Sequence, residues 1–129
     1  MPNIISPRTD DNAIEQEIQA KGKTAPRITP AALQANIDGE YYFTAANGVQ
    51  DALHEQDELT RLTGAHAELK LLTFCVLRLK NGFTVTGESA CASPENFDAE
   101  IGRKIARQNA EQKIWPLMGY ELKCRLAKD

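Results

Sequence analysis

The sequence predicts an α+β domain: a three-stranded antiparallel sheet with helices on one face, an extra N-terminal helix, and an insertion between the first two strands. Three stretches predict it. LKLLTFCVLRLK climbs to Asn81-Gly82 and FTVTGESACA returns, which reads as a β-hairpin. SPENFDAEIGRKIARQNAEQKIW follows as a long amphipathic helix. Upstream, YYFTA (Tyr41–Ala45) has the aromatic and β-branched character of a further short strand.

Residues 1–10 hold two prolines and little apolar pattern, so they read as a flexible tail, and residues 11–129 as one domain. Asp11–Lys21 reads as a helix with Ile14 and Ile18 on one side and Gly22 as its stop. Thr29-Pro30 is a cap followed by proline at the first helical position, and AALQANI continues toward Gly39 with Leu33 and Ile37 as anchors. Asn47-Gly48 is a turn signal after the YYFTA strand. Val49–Leu62 carries a partial helical stripe of Val49, Leu53, Leu59 and Leu62; a helix and a surface loop are both compatible with it.

A two-residue turn at Asn81-Gly82 sets Lys80 opposite Phe83. That register puts Leu72, Phe74, Val76, Arg78, Phe83, Val85 and Gly87 on one face, which is the expected core. The other face carries Leu71, Thr73, Cys75, Leu77, Leu79, Thr84, Thr86 and Glu88. Its mixture of leucines with polar residues suits either a partly covered sheet face or a contact surface for a second copy.

Ser93-Pro94 is the expected start of the long helix. Phe97, Ile101 and Ile105, beside a strip of Ala99, Gly102, Ala106 and Ala110, form its apolar side. Glu100, Arg103, Lys104, Arg107 and Glu111 fall opposite, as a solvated face. Trp115-Pro116 ends or kinks the helix, Gly119 offers a C-terminal cap, and YELKCRL fits a short strand or a last helical turn.

Composition excludes several classes. At 129 residues the chain is long enough for one real core. It has no apolar run near membrane-span length and no signal-peptide pattern, so a cytoplasmic protein without a membrane partner is expected. Three cysteines without a CxxC argue against a disulfide framework or a zinc ribbon. His54 and His66 stand among acidic residues without metal-ligand spacing, so surface histidines and no metal are expected. P-loop, GxGxxG, GxSxG and HExxH motifs are absent, and neither catalysis nor a cofactor is expected. A net charge of −3 disfavours a generic nucleic-acid binder.

The order helix, strand, strand, strand, helix is that of the double-stranded-RNA-binding domain, by analogy of topology. The chemistry departs from it. Such a domain grips phosphates with lysines at the start of its last helix, where this chain has Ser93, Glu95, Asp98 and Glu100.

LKNGFTVTGES, NFDAEIGRKIA and KIWPLMGY, between Leu72 and Leu126, together resemble the gene-product-forty-nine family of small proteins encoded by tailed phages and prophages. PRITPAALQANI is similar to that family's N-terminal helix. The resemblance implies a phage or prophage origin and a setting in the host-cell cytoplasm. It supplies no mechanism and no catalytic residues.

Folding explains most of these signatures. It explains Glu88, Ser89, Arg103 and Arg107 less readily, so they are the candidate binding residues. The expected role is that of a non-enzymatic accessory protein, binding a host or phage macromolecule and forming a homodimer. One alternative is nucleic-acid binding through Arg78, Lys80, Arg103, Lys104 and Arg107. Another is oligomeric sequestration of a small signalling molecule, to counter host defence.

Overall fold

The computed structural model describes residues 6–56 and 64–128. Two helices lead in: α1 (Ser6–Ala20) and α2 (Pro30–Ala35). β1 (Ile37–Thr44) runs directly into α3 (Ala45–Gln56). A 3₁₀ segment (Gly64–Leu71) leads to β2 (Leu72–Leu79) and β3 (Thr84–Ala90). A 3₁₀ turn (Pro94–Asn96) precedes α4 (Ala99–Gln112) and α5 (Ile114–Leu126). The sheet is antiparallel in the order β1-β2-β3. This is the expected α+β architecture, with helices against one sheet face and a helix inserted between β1 and β2.

The starts of the elements follow local chemistry. Thr29 caps α2 by accepting the Ala32 N–H at 3.0 Å, and Pro30 follows it. α1 begins at Ser6, inside the stretch expected as tail, and Gly22 closes it with φ of +71°. Arg27 clamps α1 to the connector by donating two hydrogen bonds to the Glu15 carboxylate, at 2.8 and 2.7 Å. The helix from Thr29-Pro30 stops at Ala35, and Ile37 opens β1 instead of extending that helix.

The Asn47-Gly48 turn signal is overridden. Thr44 Oγ1 accepts the Asn47 N–H at 3.1 Å, and Asn47 Oδ1 accepts the Thr44 N–H at 3.0 Å. This reciprocal pair is a capping box with Asn in the third position, and it starts α3 where a turn was expected. The helical reading of Val49–Leu62 is met as far as Gln56; residues 57–62 lie outside the described residues.

The hairpin turn differs from expectation, with wide consequences. Leu79 N–H donates to Phe83 O and Gly82 N–H to Leu79 O, both at 2.8 Å, so the loop holds Lys80, Asn81 and Gly82. Gly82 alone takes the positive φ, +92°, and Asn81 Oδ1 accepts the Phe83 N–H at 2.9 Å. This is the three-residue loop with a glycine bulge rather than the two-residue turn. The register slips by one: Leu77 pairs with Val85 and Cys75 with Gly87. A slip by one exchanges the faces of β2 relative to β3.

The core face of β2 is therefore Thr73, Cys75, Leu77 and Leu79, all buried, beside Val85, Gly87 and Ser89. Leu72, Phe74, Val76 and Arg78 lie on the outer face, opposite to the assignment made from the sequence. They adjoin Thr84, Thr86 and Glu88 there.

α4 lies on β2 and β3 through Gly102, Ile105, Ala106 and Ala110. The strip of small residues is what lets backbone meet backbone. Ile101, expected on this apolar side, is 44% exposed. Ser93 does not cap the helix: its hydroxyl bonds to Glu95 at 2.6 Å, and Pro94–Asn96 closes a 3₁₀ turn. Asp98 is the cap, accepting the Glu100 and Ile101 N–H groups at 2.9 and 3.1 Å.

Trp115-Pro116 does not end the chain's helical course. The break falls at Lys113, and Pro116 is third in α5, where the N–H it lacks has no intrahelical partner to lose. YELKCRL is helical, and Gly119 sits inside α5 rather than capping it. Leu33, Leu77, Val85, Ala106, Ala110 and Ile114 form the core, with Ile37, Tyr42, Trp115 and Met118 packed around it.

Candidate functional site

Three regions hold the residues singled out from the sequence. The first is a polar network joining α4 to β1 and α2. Arg107 pairs with Glu40 and with Glu111, each at 2.7 Å, and donates to Gln34 at 2.9 Å. Gln34 donates back to Glu111 at 3.0 Å, and the Tyr42 hydroxyl donates to Glu40 at 2.8 Å. Arg107 was expected on a solvated face as a candidate binding residue. Its side chain is 25% exposed and its donors are committed to fixing α4 against β1.

Electrostatics reflect this arrangement. Burial alone pulls the Arg107 guanidinium down, but its bonds to Glu111, Glu40 and Tyr42 more than offset that and raise it above the ordinary arginine value. The bond from Arg107, helped by that from Tyr42, holds the Glu40 carboxyl below its ordinary value of 4.5. Burial, with the bond to Glu40, pushes the Tyr42 phenol up to about 12. Burial pushes the adjacent Cys75 thiol up to about 11.

Signs follow from linkage. The depressed Glu40 contributes stability above its unfolded value, and that contribution is lost as pH falls through the folded one. The raised Tyr42 and Cys75 contribute fully below 10 and 9, and lose their contributions as pH rises toward about 12 and 11. The urea midpoint is therefore expected to fall on both sides of a neutral plateau. Tyr42→Phe should flatten the alkaline limb, and Glu40→Gln the acid limb.

The second region is a cleft of about 130 Å³ between the end of β1, the start of α3 and the first turns of α4. Tyr42, Phe43, Thr44, Asn47, Thr73, Phe97, Ala99 and Arg103 line it. Arg103 makes no ion pair among the described residues, unlike Lys104, which pairs with Glu100 at 3.4 Å. Ser89 is buried beside Thr73 on the core face and borders a much smaller neighbouring cavity that Gly102 and Phe97 also line.

The third region is the outer face of the sheet. Tyr41 and Phe43 on β1 lie opposite Val76 and Phe74 on β2. The Phe43 and Phe74 rings stack with centroids 5.4 Å apart. Tyr41 is 57% and Phe43 40% exposed, while Leu72, Phe74 and Val76 are half-buried. Polar residues stand at the ends of this face: Arg78, paired with Asp38 at 2.7 Å, and Glu88, whose carbonyl accepts from Asn109 on α4 at 2.8 Å.

The candidates thus do not form one site. Glu88 and Arg78 belong to the outer sheet face, while Arg103, Lys104 and Arg107 lie on α4 across the sheet, and Lys80 sits in the hairpin loop. The set proposed for nucleic acid is divided between two faces, and Arg78, Lys104 and Arg107 already pair with carboxylates. The sequence reading missed Gln34, Glu40 and Tyr42 as network partners. It also missed Tyr41 and Phe43 as surface aromatics, although alternation along β1 would have separated them from Tyr42.

The side chains of His54 and His66 lie outside the described residues. Cys75 is buried, Cys91 half-buried and Cys124 exposed, all as free thiols. Among the described residues no helix is long and apolar enough to cross a membrane.

No curated protein and no solved structure matches the chain. The sequence model of the Phage protein (N4 Gp49/phage Sf6 gene 66) family matches residues 28–126. That match covers α2 through α5, including the hairpin, the Asp98-capped helix and the polar network. The chain belongs to the Phage protein (N4 Gp49/phage Sf6 gene 66) family.

Proposed function

We propose that this phage-family protein is an accessory factor that acts by binding a host or phage macromolecule rather than by catalysis, and that it self-associates through the open face of its sheet. The observation that carries the reading is the apolar surface made by Tyr41, Phe43, Phe74 and Val76 on the side away from α4, bordered by α3 where Gly48 meets the Phe43 ring. Contiguous exposed apolar surface of this kind favours a partner.

Charge favours a second copy as that partner. A two-fold axis parallel to the sheet, lying above its outer face and crossing β2 at right angles over Val76, stacks two sheets with their strands antiparallel. Arg78 of one copy, shared with its own Asp38, then lies over Phe74 of the other, beside Glu88, the cross-strand neighbour of Phe74. The apposition is self-complementary, as an isologous interface requires. It gives Glu88 a role that folding alone did not.

Size sets the expected strength. Three strands of this length span a face of roughly 26 by 14 Å. That is about half the ~800 Å² that each partner gives to a standard interface. The association should therefore depend on concentration, with a dissociation constant on the order of 10 μM. Sedimentation velocity on a dilution series tests it: Val76→Glu, which sets like charges against each other across the axis, should give a folded monomer. A wild-type chain that stays monomeric throughout would remove the reading.

A further inference from the structure

We infer that the groove between α2, the β2–β3 loop and the first turns of α5 binds a small apolar molecule that carries a carboxylate. The inference does not depend on self-association through the sheet. The groove holds about 670 Å³, which lies within the range of small-molecule sites. Ala32 and Ala35 on α2, Leu79 and Phe83 at the hairpin, and Leu117 and Met118 on α5 form its walls. Leu79 belongs to the core and Met118 packs against it, so the floor is fixed. Phe83 and Leu117 both remain exposed. Two large apolar side chains, from elements far apart in sequence, thus open on one hollow that the fold leaves unfilled. Such surface favours an apolar occupant.

Polar groups gather where the hairpin loop meets α2, and they set the charge of that occupant. The Lys80 N–H donates to Asn36 O at 3.0 Å and to Asn36 Oδ1 at 3.4 Å, which pins the loop to the end of α2 and holds this wall in place. Asn81 Oδ1 accepts the Phe83 N–H at 2.9 Å. Both amide oxygens are therefore turned onto backbone N–H groups, and each asparagine still offers its Nδ2 as a donor. The Lys80 ammonium makes no ion pair among the described residues. Glu121, the carboxylate among the lining residues, accepts from Arg125 at 2.8 Å, and that guanidinium offsets its charge.

The uncommitted side-chain groups of the groove are thus two amide donors and one positive charge. A carboxylate is acceptor-only and matches them. A peptide laid in the groove would bring N–H donors as well, and these would meet donors. The chemistry selects a small amphipathic anion, with its apolar body against Phe83 and Leu117 and its carboxylate at Lys80.

An NMR titration of the full chain with 2-naphthoate, 2-naphthylmethanol and 2-naphthylmethylammonium at constant ionic strength tests this. The three probes share an apolar body and differ in charge. The amides of Asn36, Asn81, Phe83 and Met118 should shift saturably with naphthoate, with a dissociation constant of about 1 mM. The alcohol should bind about fivefold more weakly, and the ammonium more weakly still. Lys80→Gln should abolish the preference for acid over alcohol by weakening the acid alone. Phe83→Ala should weaken acid and alcohol alike, by about tenfold. Both changes fall on exposed side chains, so the fold should survive them. Lys104→Gln on α4 should leave binding unchanged. So should Val76→Glu, which separates this groove from the sheet face. Absence of saturable shifts up to about 10 mM naphthoate would overturn the inference. Alcohol or ammonium binding as tightly as the acid would do the same, as would a preference for the acid that survives Lys80→Gln.

Discussion

Replacing Gly87 with alanine should unfold the domain or lower its stability by at least about 3 kcal/mol. Gly87 faces the core from β3, directly beneath α4. A Cβ there would press on the Ala106 carbonyl oxygen and the Ala110 backbone nitrogen, and would come within 2.9 Å of Ala110 Cα. These are backbone atoms, so no rotamer change relieves the contact, and trimming Ala110 to glycine would not rescue it. The helix must lift from the sheet, opening the tightest part of the core. Stability of small domains totals only about 5–15 kcal/mol, so this one methyl group removes a large share. Thermal unfolding checks it: a melting temperature within about 3 °C of wild type would mean that α4 does not rest on β3 as described.

The second large effect tests the register of the hairpin. Leu77→Ala should cost about 3 kcal/mol, because Leu77 is wholly buried under α4 and its neighbours close only partly on the space left. Val76→Thr, one residue away, should change stability by less than about 1 kcal/mol in dilute solution, since it points to the open face. The two-residue turn expected from the sequence makes the opposite prediction. Urea denaturation of the two variants at low concentration decides between the registers. A larger loss for Val76→Thr than for Leu77→Ala would contradict the register described above.

Those paired variants mark where sequence reasoning succeeded and where it failed. Strand and helix identities came from patterns that are strong locally: the β-branched and leucine-rich runs around Asn81-Gly82, the Thr29-Pro30 cap, and the small-residue strip of α4. The facing of β2 did not, because it hangs on a single residue of loop length. Asn-Gly fits a two-residue turn and also the last two places of a three-residue loop. Leu72, Phe74 and Val76 are as hydrophobic as Cys75, Leu77 and Leu79, so composition cannot choose between the faces. The small strip does not choose either: Gly87, which meets Ala106 and Ala110, faces the core in both registers.

The caps show the same division. Thr29-Pro30 behaves as its residues suggest, whereas Ser93-Pro94 closes only a 3₁₀ turn and yields the helix start to Asp98. Two cap candidates five residues apart are equivalent locally, and the packing of α4 on the sheet selects the second. Asn47-Gly48 likewise satisfies a turn pattern and a capping box, and β1 running into α3 resolves it.

The candidate residues were harder to place because their roles depend on elements far apart in sequence. Arg107 lies among charges on α4, yet its partners Glu40 and Gln34 come from β1 and α2. No spacing within the helix reveals that closure. Glu88 and Arg103 emerged as residues folding did not use, and the structure leaves them on different surfaces: Glu88 on the open sheet face and Arg103 at the cleft.

Binding through the open sheet face is the central claim, and native mass spectrometry tests it most directly. Wild-type chain sprayed across a concentration range about the expected 10 μM dissociation constant should pass from monomer to dimer. Val76→Glu should remain monomeric with its fold intact. A wild-type monomer at every concentration, or a Val76→Glu variant that dimerises as wild type does, would contradict the account.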